Sequence, residues 1–199
     1  MKPFRSKVLP ASALLAFLWL GSTALAQQAS QQVDPATTTR VTLGGASGTP
    51  GTAVVVPIYF TPANGVAVGR LRLEVTYVSV NMKYSKFDKG IAAELGGVDV
   101  AVEVKDGKND KDLDTQTLTI TASFLDPQPP PTGIPSGLLA YVTLSIGTDG
   151  RPASIGLRPT IEGTLVSGGP VPNLRAFPTQ VDVLAPGTQP VLSCFFFTH

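Results

Sequence analysis

The stretch Val68-Gly69-Arg70-Leu71-Arg72-Leu73-Glu74-Val75-Thr76-Tyr77 restricts this chain more than any other. From Leu71 onward apolar and polar residues alternate without interruption. Side chains of an extended strand point to opposite faces in turn, so Leu71, Leu73, Val75 and Tyr77 share one face and Arg70, Arg72, Glu74 and Thr76 the other. At helical spacing the same residues would scatter apolar groups around the whole surface. The stretch is therefore expected to be a strand of a two-sheet sandwich. Its apolar side would lie on the core, and Arg70, Arg72 and Glu74 would form an outward row available to a partner.

Other segments share this period. Val98, Val100, Val102 and Val104 alternate with Asp99 and Glu103. Leu118, Ile120, Ala122 and Phe124 alternate with Thr117, Thr119, Thr121 and Ser123, and β-branched threonines favour strand over helix. Further strands are expected at 40–43, 53–60, 78–84, 137–146, 153–157, 163–166 and 180–184. The strand at 53–60 is expected at an edge, or bulged at Pro57, because proline donates no ladder hydrogen bond. Apolar residues on both sides of 137–146 suit a central strand. One or two helical turns are expected within Phe87–Leu95. Gly and Pro, 20 and 18 in number, supply turns between most segments. The expected fold is all-β: an antiparallel β-sandwich of jelly-roll type with about nine strands.

The flanks read differently. Residues 1–26 have the pattern of a secretory signal: basic Lys2, Arg5 and Lys7, an apolar run from Ala11 to Leu20, and a small-residue end at Ala24-Leu25-Ala26. The run is shorter than the roughly 20 apolar residues needed to cross a bilayer. Residues 27–39 read as a flexible leader, 40–184 as the domain and 185–199 as a tail containing Cys194-Phe195-Phe196-Phe197. The expected location is outside the cytoplasm: secreted, periplasmic or on the cell envelope, with no membrane insertion once the signal is cut.

Several function classes find no support. Without the three basic residues of the signal, the chain has 12 basic and 14 acidic groups, which gives no electrostatic case for nucleic acid. The only His is His199 and the only Cys is Cys194, both in the tail, so no His-dependent triad or Cys–His pair falls on the domain. Carboxylate pairs such as Glu94 with Asp99, or Glu103 with another acid, carry no motif. No catalytic residue, cofactor site or metal site is assigned, and the chain is not expected to be an enzyme. The Asp-rich segment Lys105–Asp114 has the oxygens calcium requires, but three lysines interrupt it and its spacing is not that of an EF-hand. It reads as a solvated hairpin loop. The proline run 127–135 reads as a stiff connection. Trp19 lies in the signal, which leaves Tyr59, Tyr77, Tyr84 and Tyr141 for stacking on sugars. Tyr77 is turned inward by the alternation and Tyr141 lies on an expected central strand, so no flat aromatic platform is expected.

Three segments together resemble the cohesin family, β-sandwich modules that hold dockerin domains in cellulosomes. Gly51-Thr52-Ala53-Val54-Val55-Val56-Pro57-Ile58 is similar to the family's opening glycine, valine-rich strand and Val-Pro-Ile. The alternating strand ending at Tyr77 is similar to one that ends Tyr-Asp-Pro in the family, and Gly137-Leu138-Leu139-Ala140-Tyr141 to one that opens Gly-x-x-Ala. The resemblance runs from about Arg40 to Leu184. It implies a nine-stranded jelly roll, related in architecture to some carbohydrate-binding modules, and a non-catalytic role in attaching polysaccharide-degrading enzymes. The implied partner is a dockerin-like protein; the alternatives are a polysaccharide held by a carbohydrate-binding module of the same architecture, and an envelope structural or adhesive domain. Two departures matter: Val78-Ser79 follows Tyr77 in place of Asp-Pro, and Arg70 and Arg72 stand where the family commonly presents asparagine and aspartate.

Overall fold

In a computed structural model, which describes residues 34, 36–125, 130 and 132–188, the alternating stretch forms strand β4 (Val68–Val78). Leu71, Leu73, Val75 and Tyr77 are each no more than 3% exposed. Arg70 and Arg72 are exposed on the other side and Glu74 is half-buried there. The period-two reading of this strand therefore holds residue by residue. The signal and most of the leader lie outside the described residues, as do 126–129, 131 and 189–199.

The described residues form eleven strands and one short helix. In chain order they are β1 (Thr39–Leu43), β2 (Ala46–Gly48), β3 (Ala53–Thr61), β4, β5 (Met82–Lys89), α1 (Ile91–Leu95), β6 (Val98–Lys108), β7 (Asp114–Phe124), β8 (Gly137–Ile146), β9 (Ala153–Leu165), β10 (Leu174–Phe177) and β11 (Thr179–Val183). One sheet has the order β10-β1-β3-β8-β5, the other β2-β11-β9-β4-β7-β6. Leu71, Leu73, Val75, Leu118 and Ile120 of the second sheet meet Val56, Ile58, Phe60, Val142 and Leu144 of the first in one buried cluster.

The strand count exceeds nine for a physical reason. The first and last strands each switch sheets midway, so each is recorded twice. β1 lies in the five-stranded sheet and its continuation β2 in the six-stranded one, with Gly44-Gly45 between them. A Cβ at Gly44 would lie 2.6 Å from the Pro57 ring, so this crossing needs glycine. β10 and β11 make the same switch around Pro178, which has no N–H to give a ladder. The two crossings run side by side, so β1 pairs with β10 and β2 with β11 in parallel, while the other pairings are antiparallel.

Three expectations are corrected in detail. β3 is central, between β1 and β8, and its register shift falls between Ile58 and Tyr59. Pro57 is tolerated there because the β1 ladder ends one pair earlier, at Leu43–Ile58, and Pro57 gives only its carbonyl, which accepts from Gly44 N–H at 2.8 Å. The expected strands at 153–157 and 163–166 are one strand, β9, which runs through Pro159. The strand expected at 78–84 begins only at Met82 and runs to Lys89 as β5, and the helical turn expected within Phe87–Leu95 is α1.

A buried polar bridge ties the sheets together at one end. Gln116 Oε1 accepts from Tyr77 Oη at 2.7 Å and from the Tyr84 N–H on the opposite sheet at 2.9 Å, while its Nε2 donates to Asp106 at 2.9 Å. Burial pushes the Tyr77 hydroxyl well above its ordinary 10.0. The Tyr84 N–H works against that shift and the Asp106 charge adds to it. A folded-state value above the unfolded one means stability intact below pH 10 and declining as pH rises beyond it. Replacing Gln116 by leucine leaves the Tyr77 hydroxyl and Tyr84 N–H without this acceptor and should cost about 1–3 kcal/mol in urea denaturation. Tyr77→Phe should cost less and should weaken the alkaline decline.

Candidate protein-binding face

The outward side of the six-stranded sheet follows from register alone. On β4, Arg70, Arg72, Glu74 and Thr76 stand opposite Ser123, Thr121, Thr119 and Thr117 of β7. Those residues in turn stand opposite Asp99, Ala101, Glu103 and Lys105 of β6. On the other flank, Thr164, Glu162, Thr160 and Arg158 of β9 complete the four rows. Alternation on four strands in fixed register therefore gives a face with an all-hydroxyl column on β7, flanked by charged residues on β4, β6 and β9. The β4 residues of this face are legible in the sequence alone; the contribution of β9 is not, because its residues read as two unrelated short strands.

Two ion pairs engage charges of this face. Arg72 Nη2 donates to Glu74 Oε1 at 2.6 Å, and both side chains are about half exposed. Lys89 of β5 reaches Asp99 at 3.1 Å, closing the side where β5 and β6 are the edge strands of the two sheets. Exposed pairs of this kind contribute at most about 1 kcal/mol each. Their use here is to position groups. Four strands at about 4.8 Å spacing and six residues of rise give, with side chains, on the order of 400–500 Å2. A standard protein interface takes about 800 Å2 from each partner, so the flat face alone is too small. A groove of about 950 Å3 adjoins it, lined by Arg70, Arg72, Ile161, Glu162, Val171 and Leu174 among others.

The other candidates are placed as follows. Residues 105–114 form the β6–β7 hairpin, as expected. Lys108 pairs with Asp112 at 2.9 Å, and Asn109 Oδ1 accepts from the N–H groups of Lys111 and Leu113. No three His, Cys, Asp or Glu converge among the described residues as a metal ion would need. Asp99 is engaged by Lys89, and Glu94 is exposed on α1. No helix among the described residues is long and apolar enough to cross a membrane.

The tyrosine expectation is corrected. Tyr59 and Tyr141 both point outward from the five-stranded sheet, between the buried pairs Ile58/Phe60 and Ala140/Val142. Tyr141 stands opposite Pro57, and Tyr59 opposite Thr42, which in turn faces Phe177. A central strand in a two-sheet sandwich still has one solvent side, so a central position did not exclude Tyr141 from a platform. Tyr77 lies inward, as expected.

No protein-family model and no curated protein matches this sequence. Solved structures do. A non-cellulosomal cohesin from the archaeon Archaeoglobus fulgidus aligns with TM-score 0.57 and 18% identity, over 75% of this chain and 94% of the other. The third ScaC cohesin of Acetivibrio cellulolyticus, solved with a ScaB dockerin, gives 0.57 and 15%, over 74% and 99%. The OlpC cohesin of Clostridium thermocellum, solved in a type I cohesin–dockerin complex, gives 0.56 and 15%, over 74% and 94%. At these identities the likeness speaks for the fold: residues from β1 to β11 build a cohesin-like β-sandwich.

Proposed function

We propose that this chain is a secreted, non-catalytic cohesin-like module that holds a protein partner on the outward face of β9, β4, β7 and β6. The observation that carries this reading is the Arg70–Arg72–Glu74 column, rigidly set in the centre of a flat face on a cohesin-like sandwich. Solved relatives of the same fold are seen with dockerins, which supports a dockerin-like partner and attachment of polysaccharide-degrading enzymes. The signal-like residues 1–26 support export to the periplasm, envelope or medium. Arginine suits an anchor role because its planar fork makes several directed hydrogen bonds. Capture of secreted proteins on immobilised chain should lose its specific partners when Arg70→Glu and Arg72→Glu are combined. Retention of the same partners by the double variant would place the binding surface elsewhere.

A second reading has its own observation. Tyr59, Tyr141 and Phe177 lie on one outward face of the opposite sheet, with Thr42 and Asp88 opposite them in register. Aromatic rings with polar neighbours suit a polysaccharide, whose apolar and hydroxyl-bearing sides alternate. In affinity electrophoresis the purified chain should then be retarded by a polysaccharide, and Tyr59→Ala with Tyr141→Ala should abolish the retardation while the arginine variant retains it.

A further inference from the structure

Of the two arginines on β4, one is matched within the sheet and the other is not. Arg72 is held by Glu74. Arg70 faces Thr164 on one side and Ser123 on the other, and makes no side-chain hydrogen bond or ion pair among the described residues. It stands on the rim of the groove, whose origin is topological. β11 pairs with β9 only from Ala153 to Leu157, so from Ile161 onward β9 has β4 on one side and no paired strand on the other. The connection after β9 folds back along that side instead. Leu165 N–H donates to Gly169 O and Val171 N–H to Gly163 O, each at 3.0 Å. Gly163 lets this connection come close, since a Cβ there would lie 3.0 Å from both Val171 and Leu174.

The trough this leaves has an apolar floor of Ile161, Val171 and Leu174 and a rim carrying Arg70, Arg72 and Glu162. With Arg72 committed to Glu74, the rim offers two groups without an intramolecular partner among the described residues, the Arg70 guanidinium and the Glu162 carboxylate, beside an aliphatic floor. At the Arg70 end such an arrangement favours a carboxylate joined to an aliphatic group, while Glu162 opposes a second acid at its own end. A free inorganic anion would leave the floor empty.

Resting on the reading of this sheet as the partner-binding face, we propose that the groove is its anchor site. It accepts an acidic segment of the partner protein, with a carboxylate on Arg70 and a neighbouring aliphatic side chain on the floor.

The probe is a random peptide library displayed on phage and panned on the purified chain. The dominant peptide is then synthesised for anisotropy titration and for amide chemical-shift mapping. Enriched sequences should pair Asp or Glu with a nearby Leu, Ile or Val. Arg70→Glu should weaken binding about tenfold or more, and a peptide with Lys in place of its acid should recover affinity for that variant. Shifts should fall on 161–174 and Arg70. Enrichment without acidic residues, no enrichment over empty phage, or indifference to Arg70→Glu would overturn the proposal, as would a homodimer in sedimentation that Arg70→Glu dissociates. Shifts on β7 and β6 that spare the groove would remove the anchor site and leave the face. Shifts around Tyr59 and Tyr141 would remove both.

Discussion

Leu73→Asp is expected to abolish cooperative folding, whereas Arg72→Ser, one residue away, is expected to shift the melting temperature by no more than a few degrees. Leu73 is 3% exposed in the cluster between the sheets. Removing its side chain alone costs about 2–5 kcal/mol. A carboxylate in its place has no cation among the Val56, Val75 and Ile120 side chains of that cluster and adds several kcal/mol of desolvation. Domains of this size have only about 5–15 kcal/mol to lose. Arg72 points to solvent, and its ion pair with Glu74 is half exposed, so its loss should cost about 1 kcal/mol or less. Circular dichroism melts of the two variants decide the matter. A folded Leu73→Asp with a near-native transition would mean that the strand's faces are assigned the wrong way round.

That contrast also shows why the sheet face could be read from sequence and the groove could not. Burial leaves a period-two trace on each strand separately, so the inner sides of β4 and β7 are legible one at a time from Leu71 and Leu118 onward, and that of β6 from Val98 to Val102, beyond which the alternating Val104 is exposed. Register between strands leaves no such trace. That Arg70 stands beside Thr164 and Arg72 beside Glu162 depends on the continuity of β9 through Pro159, where a proline in the sequence argues for a break. The groove depends on where β11 stops pairing and on the fold-back at Gly168-Gly169-Pro170. Those residues announce a turn without saying which strand the turn will cover. The strands at 46–48 and 174–177 were missed for a related reason. Three- and four-residue segments that change sheets carry too few residues for a period, and Gly44-Gly45 and Pro178 read as plain loop punctuation.

The departures at Arg70 and Arg72 fall on the outward side, the one at Ser79 is buried, and many of the matching residues face inward. Val54, Val56, Ile58, Leu73, Val75 and Ala140 are all buried, and a sandwich core accepts many apolar sequences of suitable volume. That is how a TM-score of 0.57 coexists with 15–18% identity. The outward residues are under no packing constraint. Arg70 and Arg72 there leave the fold intact and set the charge of the face.

The first turn of β4 is fixed from outside the sheet, and this sets the second large effect. Ile134, which is buried, donates its N–H to Val68 O at 2.7 Å, so the end of the proline-rich connection is fastened over the strand two residues before Arg70. Gly133 makes that approach. Its φ is +70°, and a Cβ there would lie 2.6 Å from both Val68 N and Val68 O. Gly65 is the natural control, with φ +73° and open space around its Cβ position. Gly65→Ala carries only the left-handed backbone penalty, about 1–2 kcal/mol. Gly133→Ala carries the same penalty plus overpacking against backbone that cannot rotate away, about 1–3 kcal/mol more. At roughly 2–4 °C per kcal/mol for a domain of this length, Gly65→Ala should melt a few degrees early and Gly133→Ala on the order of 5–20 °C early. Because Val68 and Arg70 flank the register shift between β4 and β9, Gly133→Ala should also disturb the amide resonances of Arg70 and Thr164 at temperatures where the variant is folded, and Gly65→Ala should leave them in place. Equal melting temperatures for the two variants would show that the connection yields at Gly133 and that Val68 is held by its sheet neighbours alone.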